Sequence, residues 1–176
     1  SAFPKCKIDL CKSSSDGRHL VTAYTDHWGI TNVHAESGGG QREIDERGTQ
    51  LLHMSRKHES ADSRGVCVLV GDFNMRDGEE HCLRVEGWRD VWLERPIQDG
   101  QAWTWRKEAS SARFDRIFVH DAEHIVVCEQ INKMPSIWPH LSDHVALHAT
   151  LRRRTGSVLT GASSSGVERQ AASTDC

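Results

Sequence analysis

Four short stretches of this 176-residue chain hold residue types that could bind a charged group and move a proton. The first is Gly71-Asp72-Phe73-Asn74, which follows the apolar run Val66–Val70. A strand that ends in an acid and an amide presents both on a rigid support, and Gly71 permits a sharp turn there. Asp and Asn are also common turn residues, so the plain reading is a strand-to-loop turn. The second is Ser142-Asp143-His144. A carboxylate beside an imidazole can bind metal or phosphate and tune a proton donor, although among 11 histidines an Asp-His neighbour is unsurprising. The third, Phe114-Asp115-Arg116-Ile117-Phe118, puts an ionisable pair into an apolar strand, which is costly unless the pair is partnered. Its plain reading is an edge strand with Asp115 and Arg116 on opposite faces. The fourth is Asn32-Val33-His34-Ala35-Glu36-Ser37, a strand end whose His34 and Glu36 lie two apart and so face one way.

These groups need rigid elements beneath them. Leu20–Tyr24 and Ile30–Val33 read as short strands. Arg42–His58 reads as a helix, with Ile44, Leu51, Leu52 and Ser55 at helical spacings and Gly48 as its weak point. Val66–Val70 is an unbroken run of β-formers, the pattern of a strand covered on both faces. Glu79–Val85 reads as a short helix. Trp103–Trp105, Phe114–Val119 and Ile125–Ile131 read as strands, and Pro135 and Pro139 bracket a loop. Val145–Leu151 alternates apolar and polar residues, as a half-buried strand does. Residues 1–17 are mixed, with a turn-forming cluster at Ser13–Gly17. From Thr155 onward Ser, Gly, Ala and Thr follow without periodicity, the composition of a disordered tail. Short strands with interspersed helices predict a mixed α/β layered fold.

Composition narrows the chemistry. Lys and Arg number 22 against 25 Asp and Glu, a net charge of −3, with a pI near 6.4. That balance argues against a protein holding nucleic acid mainly through a basic surface. Residues 152–176 contain four basic and two acidic residues, so the body is more acidic than the whole. An acidic body acting on phosphate needs a cation at its site, and a divalent metal is the obvious supply. Apolar residues at 37% together with 14 glycines match an ordinary globular chain. No apolar run approaches a membrane span. None of the six cysteines has the two-residue gap of a zinc or redox motif, and Cys67 and Cys128 sit in apolar runs as small core residues. This usage fits a reducing compartment, cytosol or nucleus. The chain begins at Ser1 with no leader pattern, so a processed, truncated or fragmentary chain is expected.

Taken together and in order, the four stretches resemble the later motifs of the endonuclease/exonuclease/phosphatase superfamily of metal-dependent phosphodiesterases. Within it, the extended Gly71-Asp72-Phe73-Asn74-Met75-Arg76-Asp77, with Asp90-Val91-Trp92, Thr104-Trp105 and Arg113–Phe118, is similar to the tyrosyl-DNA phosphodiesterase 2 family. The likeness covers residues 1–151, the C-terminal part of that family's domain. It implies a two-sheet αββα sandwich, N-terminally incomplete; beyond it, composition reads residues 152–176 as a disordered basic and Ser-rich tail. It implies hydrolysis of a phosphodiester with Mg2+ or Mn2+, the substrate being DNA with a phosphotyrosyl 5′ end left by a trapped topoisomerase. By that resemblance Asp72 polarises the attacking water, and Asn74 holds that water or a phosphate oxygen. His144 binds the phosphate and stabilises its developing charge, and Asp115 orients His144 and keeps it cationic. His34 adds a phosphate contact. Asp143, with Asp72, binds or supports the metal. Arg76 lies against the tyrosine ring and Trp105 lines the nucleic-acid side. These roles fit the physics of neutralising charge on non-bridging oxygens and activating a water.

Some features depart from the pattern. The family's early asparagine and its metal-ligand glutamate have no counterpart in this sequence. Phe73 replaces a smaller or more polar residue, and Ala35 stands where leucine is usual. Other readings follow. One is a different substrate within the superfamily, such as abasic DNA, RNA tails, inositol phosphates or sphingomyelin. A second is a non-catalytic remnant. A third is a transition-metal binder through His140, His144 and His148, at odds with the loop-plus-strand reading of that stretch. Arg76 also reads as a surface arginine, Trp105 as a packing partner of Trp103, and Arg152-Arg153-Arg154 as a solvated cap, a DNA contact or a nuclear address. The expected location is the nucleus, with the cytoplasm second, and no membrane partner is expected.

Overall fold

The computed structural model describes residues 7–12, 19–25, 27–60, 65–81, 83, 86–94, 103–121, 126–134 and 142–153. The strand β4 (Val66–Asp72) is its centre. Val66 and Val68 point to one apolar cluster and Cys67 and Leu69 to another, so the run is covered on both faces. Burial pushes the Cys67 thiol up to about 11, as expected of an inert core residue.

Around it, β1 (Lys7–Lys12), β2 (His19–Tyr24), β3 (Trp28–His34), β8 (Asp115–His120) and β5 (Arg89–Asp90) complete a six-stranded sheet in the order β1-β2-β3-β4-β8-β5. β3 and β4 are parallel, and the other neighbours are antiparallel. A parallel pair needs a long crossover, which the 20-residue helix α1 (Gln41–Ser60) supplies. A one-turn helix, α2 (Val91–Glu94), follows β5. The opposite face of the sheet is covered by β9 (Val126–Met134) paired with β10 (Ala146–Arg153). A small hairpin, β6 (Trp105–Lys107) with β7 (Ser110–Ala112), stands apart. The architecture is thus mixed α/β with layered sheets, as expected.

Several elements differ from the sequence pattern. β1 is a strand whose Ile8 and Leu10 alternate outward and are each 67% exposed, so its apolar residues do not mark a core face. The buried stripe of α1 is Arg47, Gln50, Leu51, Met54 and Ser55, whereas Ile44 and Leu52 lie at its half-buried margins. β8 is an interior strand between β4 and β5, not an edge. Asp115 and Arg116 do take opposite faces, but Arg116 is fully buried. Trp103 and Thr104 precede strand β6 rather than belonging to it. Asp77–Glu80 form a turn, and part of the expected 79–85 helix lies outside the described residues. β10 continues through Arg152 and Arg153, and Arg152 pairs with Glu129. His140, Pro135, Pro139, the Ser13–Gly17 cluster and residues 154–176 also lie outside the described residues. No described helix is long and apolar enough to cross a membrane.

Candidate active site

Strand register builds one row of functional groups. His34 ends β3, Asp72 ends β4 and Asp115 begins β8. His34 pairs with Asp72 across the parallel ladder, and Asp72 pairs with Asp115 across the antiparallel one. Partners at one level of a sheet project to one face. The row depends on Gly71, whose φ is +129° and whose Cβ, if it had one, would lie 2.1 Å from the Val33 carbonyl oxygen. Only glycine allows β3 this close.

The fourth stretch arrives through Thr104. Its carbonyl accepts the Val145 N–H at 2.7 Å, and the Asp143 carbonyl accepts the Arg106 N–H at 3.0 Å. His144 thereby bridges to Trp105. The Thr104 hydroxyl also accepts the Asp115 N–H at 2.9 Å. One buried threonine therefore fixes both Asp115 and the His144 segment, and a Ser142 hydroxyl accepting the His144 N–H at 3.1 Å shapes the turn.

The result is a compact cluster. His144 Nδ1 meets Asp115 Oδ2 at 2.7 Å. His144 Nε2 and His34 Nε2 each stand 3.9 Å from Asp72 Oδ2. These last two gaps are too long for hydrogen bonds, but an oxygen at the apex between an imidazole and the carboxylate can touch both at about 2.8 Å. Asp72 Oδ1 accepts the Asn74 N–H at 2.8 Å, and the Asn74 amide nitrogen donates to the Ala35 carbonyl at 3.1 Å. Asn74 adopts φ +50°, a conformation that Asn tolerates better than most residues. Burial pushes the Asp115 carboxyl above the usual carboxylate range. Hydrogen bonds from His144 and Thr104 and the His144 charge pull it partly back, while the Asp72 charge adds to the rise.

A second row runs along the rim. The Arg76 guanidinium lies 5.7 Å from the Phe114 ring centre, and Phe114 packs at a tilt against Trp105, ring centres 5.2 Å apart. The Trp105 indole donates to Asp143 Oδ2 at 2.7 Å, which holds the exposed Asp143 carboxyl below the usual range. A cavity of about 460 Å³, lined by Met75, Arg76, Asp77, Trp103 and Arg113 among others, opens beside Arg76.

All the catalytic residues expected from sequence (His34, Asp72, Asn74, Asp115 and His144) converge here, with Arg76 and Trp105 flanking them. The metal expectation fares differently. Asp143 is engaged by Trp105, Asp72 is engaged by Asn74, and among the described residues no group of three or more His, Cys, Asp or Glu is arranged to hold a metal ion. The described residues do not make a magnesium or manganese centre on their own. His148 of the expected histidine trio lies exposed on β10. Sequence reasoning missed Thr104 as the joint of the site, because its role lies in backbone contacts that no spacing encodes.

No family model matches the sequence, and no curated protein does. Solved structures do match the fold. TDP2 from D. rerio complexed with single-strand DNA product superposes with a TM-score of 0.64 at 23% identity, covering 84% of this chain and 67% of that one. Truncated TDP2 from Caenorhabditis elegans gives 0.58 at 19% identity, with 82% and 64% covered. The endonuclease/exonuclease/phosphatase from Bacteroides vulgatus gives 0.64 at 18% identity, with 85% and 65% covered. The chain spans about two thirds of the length of these structures. These superpositions show that this chain has the endonuclease/exonuclease/phosphatase fold, in a form similar to TDP2.

Proposed function

We propose that this chain carries the phosphate-handling side of a phosphodiester hydrolase acting on DNA ends, with a 5′-tyrosyl-linked end as the substrate and repair of such ends in the nucleus as the setting. The observation that carries the reading is the His144 imidazole, held on one nitrogen by Asp115 and standing with the other 3.9 Å from Asp72 Oδ2, the same oxygen that His34 Nε2 approaches at 3.9 Å. A non-bridging phosphate oxygen seated by His144 and His34 has its developing charge met by two imidazoles. Asp72 accepts a proton from a water at the apex position, and Asn74 keeps that carboxylate aimed. Arg76 beside Phe114 offers a cation to an aromatic leaving group, and the single-strand DNA product held by the D. rerio neighbour supports a DNA substrate. Dependence on a divalent metal, magnesium or manganese, belongs to this proposal and requires donors beyond the described residues.

The test is turnover of a 5′-phosphotyrosyl oligonucleotide by the full chain with Mg2+ or Mn2+ supplied, compared with an abasic duplex. Asp72→Ala and His144→Ala are each expected to slow turnover at least about a hundredfold. Preference for the abasic duplex would move the substrate within the superfamily, and unimpaired turnover by either variant would remove that residue from the mechanism. The incomplete donor set favours a second reading, a binding-only remnant. Binding of the oligonucleotide without turnover under either metal would select it.

A further inference from the structure

The helix α1 turns a charged group inward. Arg47 is 1% exposed, and a guanidinium that deep is costly unless its donors are used. Its Nε and Nη2 donate to the two carboxylate oxygens of Glu79, each at 2.9 Å. Its Nη1 donates to the carbonyls of Glu36 at 3.0 Å and Gly38 at 2.8 Å. The Gly38 carbonyl has a second donor, Arg76 Nη1, at 2.7 Å. A carbonyl oxygen offers two lone pairs, so the buried arginine and the exposed one fill it between them. Two cations on one acceptor repel, but the forked Glu79 carboxylate neutralises the buried member and leaves the exposed charge as the one presented outward. Gly39 closes the seat, since a Cβ there would come within 3.1 Å of Arg76 Nη2.

We infer that Arg47 is a positioning residue: through the Gly38 carbonyl it fixes the Arg76 guanidinium beside the Phe114 ring, at the edge of the cavity that Arg76 lines with Met75, Asp77 and Arg113. A long exposed side chain ordinarily loses rotamer freedom when it takes a ligand, and one already seated loses less. Arg47 thus sets affinity for the group that Arg76 receives and leaves the chemical step to the cluster. This inference rests on the reading that Arg76 faces the leaving group.

A double-mutant cycle separates the two claims. Anisotropy with a 5′-phosphotyrosyl single-stranded oligonucleotide is measured for the full chain, Arg76→Ala, Arg47→Met, Arg47→Lys and Arg47→Met with Arg76→Ala, each checked for folding by a thermal melt. Each Arg47 variant is expected to weaken binding about two- to tenfold, and the double variant to bind no more weakly than Arg76→Ala alone. Losses that multiply in the double variant would overturn the inference. Arg47→Lys keeps the buried charge without the fork, so it serves if Arg47→Met does not fold. Should Arg76→Ala bind as well as the parent, the substrate reading of Arg76 fails, and the inference is then decided by the Arg76 Nε–Hε NMR signal. A signal shifted or broadened in Arg47→Lys upholds the positioning role, and an unchanged one ends it.

Discussion

Replacing Gly71 by alanine is the sharpest test of how the row is built. The added Cβ would lie 2.1 Å from the Val33 carbonyl oxygen, 3.0 Å from the Val33 nitrogen and 3.1 Å from Asn32 Oδ1. Two of these atoms are backbone of β3, so no side chain can swing away, and the strand must retreat by about 1 Å. Overpacking of this kind costs about 1–3 kcal/mol. Holding a non-glycine residue at φ +129° adds about 1–3 kcal/mol. A central value is about 4 kcal/mol, a large share of the roughly 5–15 kcal/mol that stabilises a domain. With a urea slope of about 2 kcal/mol/M, the midpoint should fall by about 2 M. Gly48→Ala is the matched control. It lies within α1, and a Cβ there meets nothing within 4 Å, so it should stabilise by about 0.4–1 kcal/mol. A Gly71→Ala midpoint within about 0.5 M of the parent would refute the claim that β3 and β4 approach only through this glycine.

Two further outcomes follow from charges in the site and behind it. Burial raises Asp115, so the folded chain keeps that proton at pH values where the unfolded chain has lost it, and Asp115 lowers stability progressively as pH rises through and above 3.8; in urea titrations, Asp115→Asn should therefore gain on the parent between pH 3.5 and pH 6, and a constant difference would contradict it. Glu79→Gln leaves Arg47 buried with half its partner lost, and should cost about 3–5 kcal/mol by chemical denaturation, whereas a cost under about 1 kcal/mol would mean the pair is not a buried one.

Much of the fold was legible because β4 is short, wholly apolar and punctuated by Gly71-Asp72. That pattern fits a strand covered on both sides and little else. β10 was legible for the opposite reason, its clean alternation over Val145–Leu151. The inward face of α1 was legible only in part. Arg47 and Gln50 look like surface residues in any periodicity count. They belong inside because their partners, Glu79 and the Glu36 N–H, come from 32 and 14 residues away. β1 was missed because its Ile8 and Leu10 face outward, against the usual sense of alternation. In the site, the acids and histidines were legible from type and order. Asp143 illustrates what was not: no spacing announces that its carboxylate accepts the Trp105 indole N–H, a partner 38 residues away.

Register is the quantity on which the site turns. A strand's side chains alternate with a period of two, so a one-residue slip between β3 and β4 would send His34 and Asp72 to opposite faces. A slip between β4 and β8 would separate Asp72 from Asp115 in the same way. Both ladders are set by burial rather than by the polar residues themselves: Val66, Val68, Ile117 and Val119 must reach one cluster while Cys67, Leu69 and Phe118 reach the other. The apolar middle of the sheet thereby fixes which way its polar ends point. His144 is aligned by a separate device, the Thr104 carbonyl and hydroxyl, which tie the approach to β10 to the first residue of β8. Core packing thus places His34, Asp72 and Asp115, while one buried threonine delivers the histidine that faces them.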